Sequence, residues 1–193
     1  MPILLETIKI EDGIVHNLHY HQERCNQSRQ KLFNLNSILD LSLAIKPPKE
    51  GLFRCRILYD IIIHDIQYIP YTPKKISSLK IVSSSIEYQH KYHNRELFDM
   101  LLKIHNTVDD IIIKKDGYLT DISYANIAFY DKTKWVTPKM PLLEGTMRAK
   151  LIEEGFLHPL NITQEMLYGY TKIAIMNAMI GFKILTNIKP QEI

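Results

Sequence analysis

The amino-acid sequence predicts an α+β protein made of two lobes. Helical and strand-like segments alternate along the chain, but they do not form the regular strand–helix–strand repeat that is typical of a parallel α/β sheet. The segment 70–75 contains two prolines and no periodicity, which favours a linker. Of the 193 residues, 46% are hydrophobic and 23% are charged, so two apolar cores are feasible. We therefore expect lobes at 1–70 and 79–193, joined by a linker at 71–78.

The first lobe is expected to pack strands against helices. The expected elements are a strand at 4–10, a hairpin turn at Asp12-Gly13, helices at 18–33 and from Asn36-Ser37 to just before Pro47, and strands at 52–59 and 61–69. Asparagine or aspartate followed by glycine is a strong signal for a two-residue hairpin turn. The helix at 18–33 is indicated by side chains spaced three and four residues apart, which share one face: Leu18, His21, Cys25, Ser28 and Leu32.

The second lobe is expected to be richer in strands. The expected elements are a strand at 79–82, a helix from about Asn94 to His105, strands at 110–115 and 118–122 around the turn Asp116-Gly117, strands at 126–130 and 135–136, a helix at 145–154, a short helix from Thr163 to Tyr170, and strands at 172–176 and 182–188. Asn94 is a good N-cap residue. Leu97, Leu101 and Ile104 share one face of the helix that follows it, so we expect this face to be buried.

Composition and charge argue against several classes of protein. The formal net charge is only +3, and the basic residues occur in scattered pairs such as Lys74-Lys75, so no nucleic-acid partner is expected. A small basic RNA-associated domain stays open as a weaker alternative. The longest apolar stretch, 57–63, is interrupted by Asp60 and is too short to span a bilayer, so no membrane partner is expected either. The first residues lack the basic start of a signal peptide, and we expect a cytoplasmic protein.

Single motifs are ambiguous when they are taken alone. His16, His19 and His21 could hold a metal, but no cluster of acidic ligands accompanies them, so solvated or core histidines are the better interpretation and no metal is expected. The segment 145–148 (Gly-Thr-Met-Arg) lies at a predicted helix start, where the first backbone N–H groups can bind an anion. By itself this motif favours an ordinary helix start.

Four motifs carry more information in their order than any of them carries alone. They are Glu6-Thr7-Ile8 followed by Tyr20-His21-Gln22-Glu23-Arg24, then Lys91-Tyr92-His93-Asn94-Arg95, then the segment 117–127 (GYLTDISYANI), and finally 141–148 (PLLEGTMR). Together they resemble the class IV aminotransferases, the family of branched-chain and D-amino acid aminotransferases and of aminodeoxychorismate lyase. Near the C-terminus, Asn177-Ala178-Met179 is similar to the lyase branch of that family.

This resemblance implies a fold, a cofactor and partners. The fold would be the two-lobed D-amino acid aminotransferase-like fold, with a small N-terminal α+β lobe and a β-barrel-like core in the C-terminal lobe. The cofactor would be pyridoxal 5′-phosphate, the substrate a small amino acid or amino-acid-like molecule, and the assembly a homodimer. The chain is shorter than typical members of the family, so we expect a reduced substrate pocket.

The resemblance also implies which residues act on the cofactor ring. Lys91 would hold the cofactor as a Schiff base and would then move the proton at the substrate α-carbon. Asp121 would contact the pyridine nitrogen and keep it protonated, which makes the ring a better electron sink. The family usually has glutamate where this chain has Asp121, and many transaminases have a tyrosine where it has Glu96.

A second set of residues is implied for the cofactor phosphate. Arg24 would bind the phosphate through its guanidinium group, and the backbone N–H groups of Thr146 and Met147 would bind it at the helix start. Met147 stands where many transaminases have a threonine hydroxyl, so only a backbone contact is expected from it. Asn177, which has a counterpart in the lyase branch, would compensate, and Asn126 completes the implied cofactor-binding set.

The type of reaction stays open between two branches of the family. Transamination fits the family at large. Elimination of pyruvate, the chemistry of aminodeoxychorismate lyase, fits the local details, because Asn94-Arg95, Met147 and Asn177-Ala178 all resemble the lyase branch. A non-catalytic or degenerate pyridoxal-phosphate-binding protein of the same fold is the alternative to an enzyme.

Substrate recognition requires a cation for the substrate carboxylate. Arg54 and Arg56 alternate with apolar residues on one predicted strand, so they share a face. They are the candidates for this role, and a structural salt bridge is an equally good interpretation of the pair.

Overall fold

Strands dominate the structure, a computed structural model that describes residues 1–193. Twelve strands, four α-helices and two 3-10 helices follow one another without a regular alternation, as the sequence predicts. None of the helices combines the length and the hydropathy that crossing a membrane requires. The chain forms two compact units, the first from Met1–Pro73 with His90–Asn94 and the second from Lys74–Gln89 with Arg95–Ile193. The lobe and linker boundaries expected from the sequence stay a prediction.

The first unit is a four-stranded antiparallel sheet with two helices. Its elements are β1 (Leu4–Glu11), β2 (Ile14–Val15), α1 (Leu18–Phe33), α2 (Leu41–Ala44), β3 (Leu52–Tyr59) and β4 (Ile63–Pro70). The strand order is β2-β1-β3-β4. Asp12 and Gly13, both at positive φ, build the turn between β1 and β2, which confirms the predicted hairpin.

Alternate residues of β1 and β3 build the core of the first unit. Leu4 pairs with Tyr59 and Ile8 pairs with Cys55, and all four side chains are buried in one apolar cluster. The period of two along a strand explains why every second residue of β1 enters this cluster. Helix α1, which has the predicted bounds, adds Cys25 to it.

The second helix is shorter than the sequence predicts. It begins at Leu41 instead of Asn36-Ser37 and spans four residues. The side chain of Asp40 accepts hydrogen bonds from the N–H groups two and three residues further on, so Asp40 is the N-cap. Gln22 of α1 donates to the carbonyl of Leu39 and accepts from the N–H of Leu41. These bonds from a distant part of the chain hold the backbone before Asp40 in an irregular conformation, which the local sequence does not indicate.

The second unit is built on one branched sheet of eight strands. Its elements are β5 (Leu79–Ser83), α3 (Glu96–Ile104), β6 (Asp110–Lys115), β7 (Tyr118–Ile122), β8 (Asn126–Tyr130), β9 (Trp135–Pro138), α4 (Thr146–Glu153), β10 (Leu157–Leu160), β11 (Lys172–Asn177) and β12 (Gly181–Leu185), with 3-10 helices at Glu165–Gly169 and Pro190–Glu192. The strand order is β10-β9-β8-β7-β6-β5, and β8 also pairs with β11, which pairs with β12. Because β8 pairs with three strands, its side chains Ile127 and Phe129 lie in the middle of the core.

The face that α3 buries is not the predicted one. Leu97 and Ile104 are 53% and 63% exposed, whereas Phe98 is 2% exposed. The ring of Phe98 packs edge-on against Tyr88 at a centroid distance of 5.0 Å, and the Arg95 guanidinium carbon lies 4.6 Å from its centre. The prediction was wrong because a phenylalanine with an aromatic and a cationic partner gains more from burial than the leucine beside it.

Candidate active site

A buried carboxylate joins the first strand to the first helix. Glu6 lies on the core face of β1, and both it and His21 of α1 are fully buried. His21 Nδ1 lies 2.6 Å from Glu6 Oε2. Arg24, one helical turn after His21, donates from Nε to Oε1 at 2.9 Å and from Nη2 to Oε2 at 2.5 Å. The H-x-x-R pair of the sequence therefore holds a single carboxylate from one face of the helix.

The charges of this cluster follow from its burial and its partners. Burial opposes ionisation of Glu6, but the Arg24 guanidinium and the hydrogen bond with His21 outweigh it and lower the pKa of the carboxyl to about 2. Burial lowers the pKa of His21, and the positive charges of Arg24 and Lys91 contribute to the same direction. We infer a neutral imidazole whose Nδ1–H donates to an ionised Glu6, because a carboxylate can only accept.

Arg24 binds Glu6 through two of the five N–H donors of its guanidinium group, in a forked arrangement. The ion pair fixes the orientation of the guanidinium plane, because two parallel bonds leave little rotational freedom.

The segment that carries Lys91 is anchored to the sheet and helix of the first unit. The carbonyl of Lys91 accepts from the N–H of Leu5 at 2.8 Å, and the N–H of His93 donates to the carbonyl of Ile3 at 2.9 Å. A further hydrogen bond, 3.2 Å long, joins His90 Nδ1 to the hydroxyl of Ser28 in α1. Lys91 itself is half-buried. Its backbone is therefore fixed beside Glu6 on the edge of β1.

The two arginines of β3 lie close to the same segment. Arg56 Nη2 donates to His93 Nδ1 at 2.9 Å, and Nη1 donates to Gln67 at 3.3 Å. Arg54 has a buried Nε that finds no hydrogen-bond partner. The predicted shared face is consistent with the register, in which Arg54 pairs with Lys9 and Arg56 with Thr7. The partners of Arg56 are thus neutral side chains, and the role of the two arginines stays a prediction.

A second buried carboxylate lies in the second unit. Asp121 is 4% exposed at the end of β7 and pairs with Asn126 at the start of β8. Asn126 Nδ2 donates to Asp121 Oδ1 at 2.7 Å and to the carbonyl of Leu143 at 2.8 Å, and the N–H of Leu143 donates to Asp121 Oδ2 at 3.0 Å. Burial raises the pKa of Asp121 to about 6, although these donors and the charge of Arg148 oppose the shift. The hydrogen bonds that hold this carboxylate therefore come from neutral donors.

Gly145 is required by the position of Asn126. A Cβ atom at residue 145 would lie 2.0 Å from the Oδ1 atom of Asn126, which is far inside van der Waals contact. The glycine has an ordinary extended conformation, so the constraint is steric and not one of backbone strain. Helix α4 begins directly after it, and the first-turn N–H groups of Thr146 and Met147 have no carbonyl within the helix. Such a helix start attracts anions.

The side chain of Asn177 bonds to the backbone around it. Its Oδ1 accepts from the N–H groups of Met179 and Ile180 at 2.9 and 3.0 Å, and its Nδ2 donates to the carbonyl of Tyr124 at 3.4 Å. Asn177 thus closes the turn between β11 and β12 and connects it with the turn between β7 and β8. Its predicted contact with a cofactor stays a prediction, and so do those of the other named residues.

Sequence reasoning missed the role of Glu6 and of the histidines around Lys91. Glu6 entered only as part of a motif, although a carboxylate between buried positions of a strand is itself a signal, since such groups are rarely buried unless they are paired. His90 and His93 gave no comparable signal. Their partners, Ser28 and Arg56, are distant in the sequence.

Comparisons with known proteins identify the family. The chain belongs to the class IV amino-transferases, whose family model matches residues 4–188. An uncharacterized protein of Haemophilus influenzae is 37% identical over 187 residues, which are 92% of this chain and 98% of that protein. The crystal structure of a "putative 4-amino-4-deoxychorismate lyase" from Haemophilus somnus is also 37% identical, with a TM-score of 0.84, and the match covers 94% of this chain and 98% of that one.

A more distant solved structure shows the same fold. It is the pyridoxal-phosphate-bound form of a "hypothetical aminotransferase" from Mycobacterium tuberculosis, 15% identical, with a TM-score of 0.77 and coverage of 99% of this chain and 82% of that one. The family and the α+β fold expected from the sequence are therefore confirmed. The chain is an enzyme of a pyridoxal-phosphate-dependent family of aminotransferases and lyases that act on small amino substrates, and the non-catalytic alternative gains no support.

The steric demand at Gly145 leads to a testable expectation. Gly145→Ala forces the Asn126 amide away from Asp121, and we expect the free energy of unfolding to fall by about 1–3 kcal/mol, as in other overpacked sites. Gly169→Ala is the matched control, because a Cβ atom at Gly169 meets nothing within 4 Å. Urea titration followed by circular dichroism measures both. Equal stability of the two variants would contradict the expectation.

The ionised Glu6 leads to an expected pH dependence. Its pKa in the folded chain, about 2, lies below the ordinary 4.5, so ionisation stabilises the fold above pH 4.5 and this contribution is lost as the pH falls towards 2. The contribution is on the order of 3 kcal/mol. The difference in unfolding free energy between wild type and Glu6→Gln should therefore shrink between pH 4.5 and 2. Glu50→Gln, at an exposed residue, controls for the loss of one negative charge. A difference that stays constant with pH would rule out the ion pair as the cause.

Proposed function

We propose that this chain is an aminodeoxychorismate-lyase-like enzyme that binds pyridoxal 5′-phosphate through Lys91 and releases pyruvate from an amino-substituted substrate. The observation that carries the proposal is the anchoring of the Lys91 segment on β1, beside the Glu6–Arg24 pair. The lyase branch is supported by the 37% identity, over 94% of the chain, with the Haemophilus somnus protein. The segments that resemble the lyase branch in the sequence support the same choice.

The residues present fit the cofactor chemically. The phosphate is a dianion, and two features of the chain, each within its own unit, are of a kind that binds such a group: the Arg24 guanidinium and the N–H groups at the start of α4. The protonated ring nitrogen is a cationic donor, and Asp121 is a buried acceptor whose pKa is raised by its burial. Because Gly145 has no Cβ atom, the Asn126 side chain has room beside it, and its amide donates to Asp121.

When bound, pyridoxal phosphate supplies an electron sink that stabilises negative charge at the substrate α-carbon. Lys91 would have two roles: its amine would hold the cofactor covalently, and the same amine would move the proton at the substrate α-carbon. Both roles need a lysine whose backbone is fixed. The hydrogen bonds of Lys91 to Leu5 and of His93 to Ile3 fix it.

The Glu6–His21–Arg24 cluster would orient the phosphate contact. Glu6 is ionised, and its two hydrogen bonds fix the plane of the Arg24 guanidinium that would contact the phosphate. His21 stays neutral and adds no charge of its own. The net charge offered to a phosphate is therefore small, and the directed hydrogen bonds of Arg24 supply the specificity.

Arg54 and Arg56 are the proposed contacts for the substrate carboxylate. Arg56 donates to His93, two residues after Lys91, which brings a guanidinium near the segment that holds the proposed catalytic amine. The buried Nε of Arg54 lacks a partner, and a bound carboxylate would satisfy such a donor. Arginine suits this role because its planar fork matches a carboxylate.

Transamination is the second candidate. It is favoured by the match to the amino-transferase family over almost the whole chain. The two reactions differ in their products: the lyase releases pyruvate from aminodeoxychorismate, and the transaminase converts a 2-oxo acid into an amino acid. Assays of the purified enzyme with both substrate pairs distinguish them, and pyruvate release without amino transfer is the expected result.

The covalent role of Lys91 has a direct test. After incubation with pyridoxal phosphate and reduction with borohydride, mass spectrometry of the digested wild-type chain should find the cofactor on the peptide that contains Lys91. Lys91→Ala should lose this label, and its activity should fall by more than about 10³-fold because both the anchor and the proton carrier are removed. Lys80→Ala, at an exposed position of β5, should keep both. A labelled peptide in Lys91→Ala, or activity near that of wild type, would disprove the assignment.

A homodimer and a cytoplasmic location also belong to the proposal. The dimer is implied by the family resemblance, and the mass from sedimentation equilibrium should be twice that of the 22.6 kDa chain. The cytoplasmic location is supported by Cys25 and Cys55, two buried free thiols, which are typical of a reducing compartment.

A further inference from the structure

The turn between β7 and β8 is held by side chains from two distant parts of the second unit. The turn comprises residues 122–126 and is closed by the bond from the N–H of Ile122 to the carbonyl of Ala125, 3.0 Å long. It separates Asp121 from Asn126, whose side chains form the 2.7 Å hydrogen bond of the proposed cofactor site. We call it the Ser123 turn, since Ser123 makes three hydrogen bonds with the rest of the unit; Asn177 makes a further one, through the carbonyl of Tyr124.

Every polar group of Ser123 bonds to an ionisable side chain. The N–H donates to Asp110 Oδ1 at 3.1 Å, and the hydroxyl donates to Asp110 Oδ2 at 3.0 Å. The carbonyl accepts from Arg95 Nη2 at 2.5 Å. Two residues that lie 28 and 13 positions away in the sequence therefore fix the backbone directly after Asp121.

Asp110 is an unusual residue for the start of a strand. It is 0% exposed, and its carboxylate also accepts from the N–H of Ile111 at 2.8 Å and lies 3.6 Å from Lys74 Nζ. Burying a carboxylate costs free energy unless hydrogen bonds and a counter-charge compensate for the lost hydration. Two of its hydrogen bonds come from Ser123, so this buried carboxylate holds the Ser123 turn.

Arg95 is held in place by aromatic rings. Its guanidinium carbon lies 4.6 Å from the ring centre of Phe98 and 5.6 Å from that of Tyr88. Nη1 also donates to the Tyr88 hydroxyl at 3.4 Å. Because the aromatic rings fix the guanidinium plane, its bond to the carbonyl of Ser123 restrains the turn.

We propose that Asp110 and Arg95 are positioning residues, which hold the Asp121 carboxylate at the cofactor ring nitrogen by fixing the Ser123 turn. The inference rests on the proposed function, because it assigns Asp121 to that nitrogen. If the Asp121 carboxylate is displaced, its contact with the ring nitrogen weakens. This contact matters most when negative charge develops at the substrate α-carbon. The loss therefore appears in kcat and in the protonation of the bound cofactor, and substrate binding is unaffected.

The test compares two adjacent aspartates in the holoenzyme. Asp110→Asn weakens the hold on the Ser123 turn, whereas Asp109→Asn removes a carboxylate that accepts from Ser77 and Ser78 and makes no contact with the turn. For Asp110→Asn we expect kcat to fall by about 10- to 100-fold with KM within about 2-fold of wild type. The pH titration of the cofactor absorbance should shift as well. Asp109→Asn should leave kcat and the titration unchanged.

Each outcome supports or contradicts the positioning role of Asp110 and Arg95. Equal effects of Asp110→Asn and Asp109→Asn would reduce Asp110 to a structural role, and an unchanged titration in Asp110→Asn would overturn the proposal. If Asp110→Asn does not fold, Ser123→Ala carries the test: it removes only the hydroxyl bond and should shift the titration in the same direction by less. Arg95→Lys should shift it too, because an ammonium group lacks the planar fork. A wild-type chain that takes up no pyridoxal phosphate would refute the proposed function instead.

Discussion

The compensation of one buried charge determines how the first unit is assembled. Glu6 lies on the apolar face of β1, where an ionised carboxylate is unfavourable unless cationic and hydrogen-bonding partners surround it. His21 and Arg24 supply both, and they can do so together only if one particular face of α1 meets the sheet. That rotation of the helix also places Ser28 where it bonds to His90, beside Lys91. The anchoring of the proposed catalytic lysine therefore depends on the buried ion pair.

Two of the buried carboxylates, Glu6 and Asp121, show how environment separates their roles. Glu6 has a bidentate arginine, and its pKa falls to about 2. Asp121 accepts from the Asn126 amide and from backbone N–H groups, and burial raises its pKa to about 6 although the charge of Arg148 opposes the shift. A carboxylate with a bidentate arginine suits a structural ion pair. One that is held by neutral donors is suited to receive a cationic donor from a ligand, which is the role proposed for Asp121.

Both sites rely on chain segments that are fixed by contacts from far away in the sequence. Lys91 is fixed by β1 and α1, and Asp121 by Asn126 and Leu143. The Lys91 segment is held through its backbone, whereas the Asp121 carboxylate itself accepts the hydrogen bonds that hold it. Support of this kind from neighbouring residues keeps a functional side chain in a defined place.

The sequence predicted those features whose causes are local. The bounds of α1 and the hairpins at Asp12-Gly13 and Asp116-Gly117 follow from helical spacing and from turn residues that tolerate positive φ. The face of α3 was mispredicted, because hydrophobic spacing does not reveal that Phe98 meets Tyr88. The start of α2 was mispredicted, because Gln22 binds the backbone before it. Such failures occur where a distant partner overrides a local preference.

By itself, the sequence determined the order of the motifs, and hence the family, the cofactor class and the residues to consider. Only the tertiary structure decided which of them meet: that Glu6 holds Arg24, that Arg56 binds His93, and that Ser123 joins Asp110 to Arg95. The physical reason is that hydrogen bonds and ion pairs act over a few ångströms in space. Partners that are 13 to 37 residues apart come within that distance only when strand register and helix rotation are set.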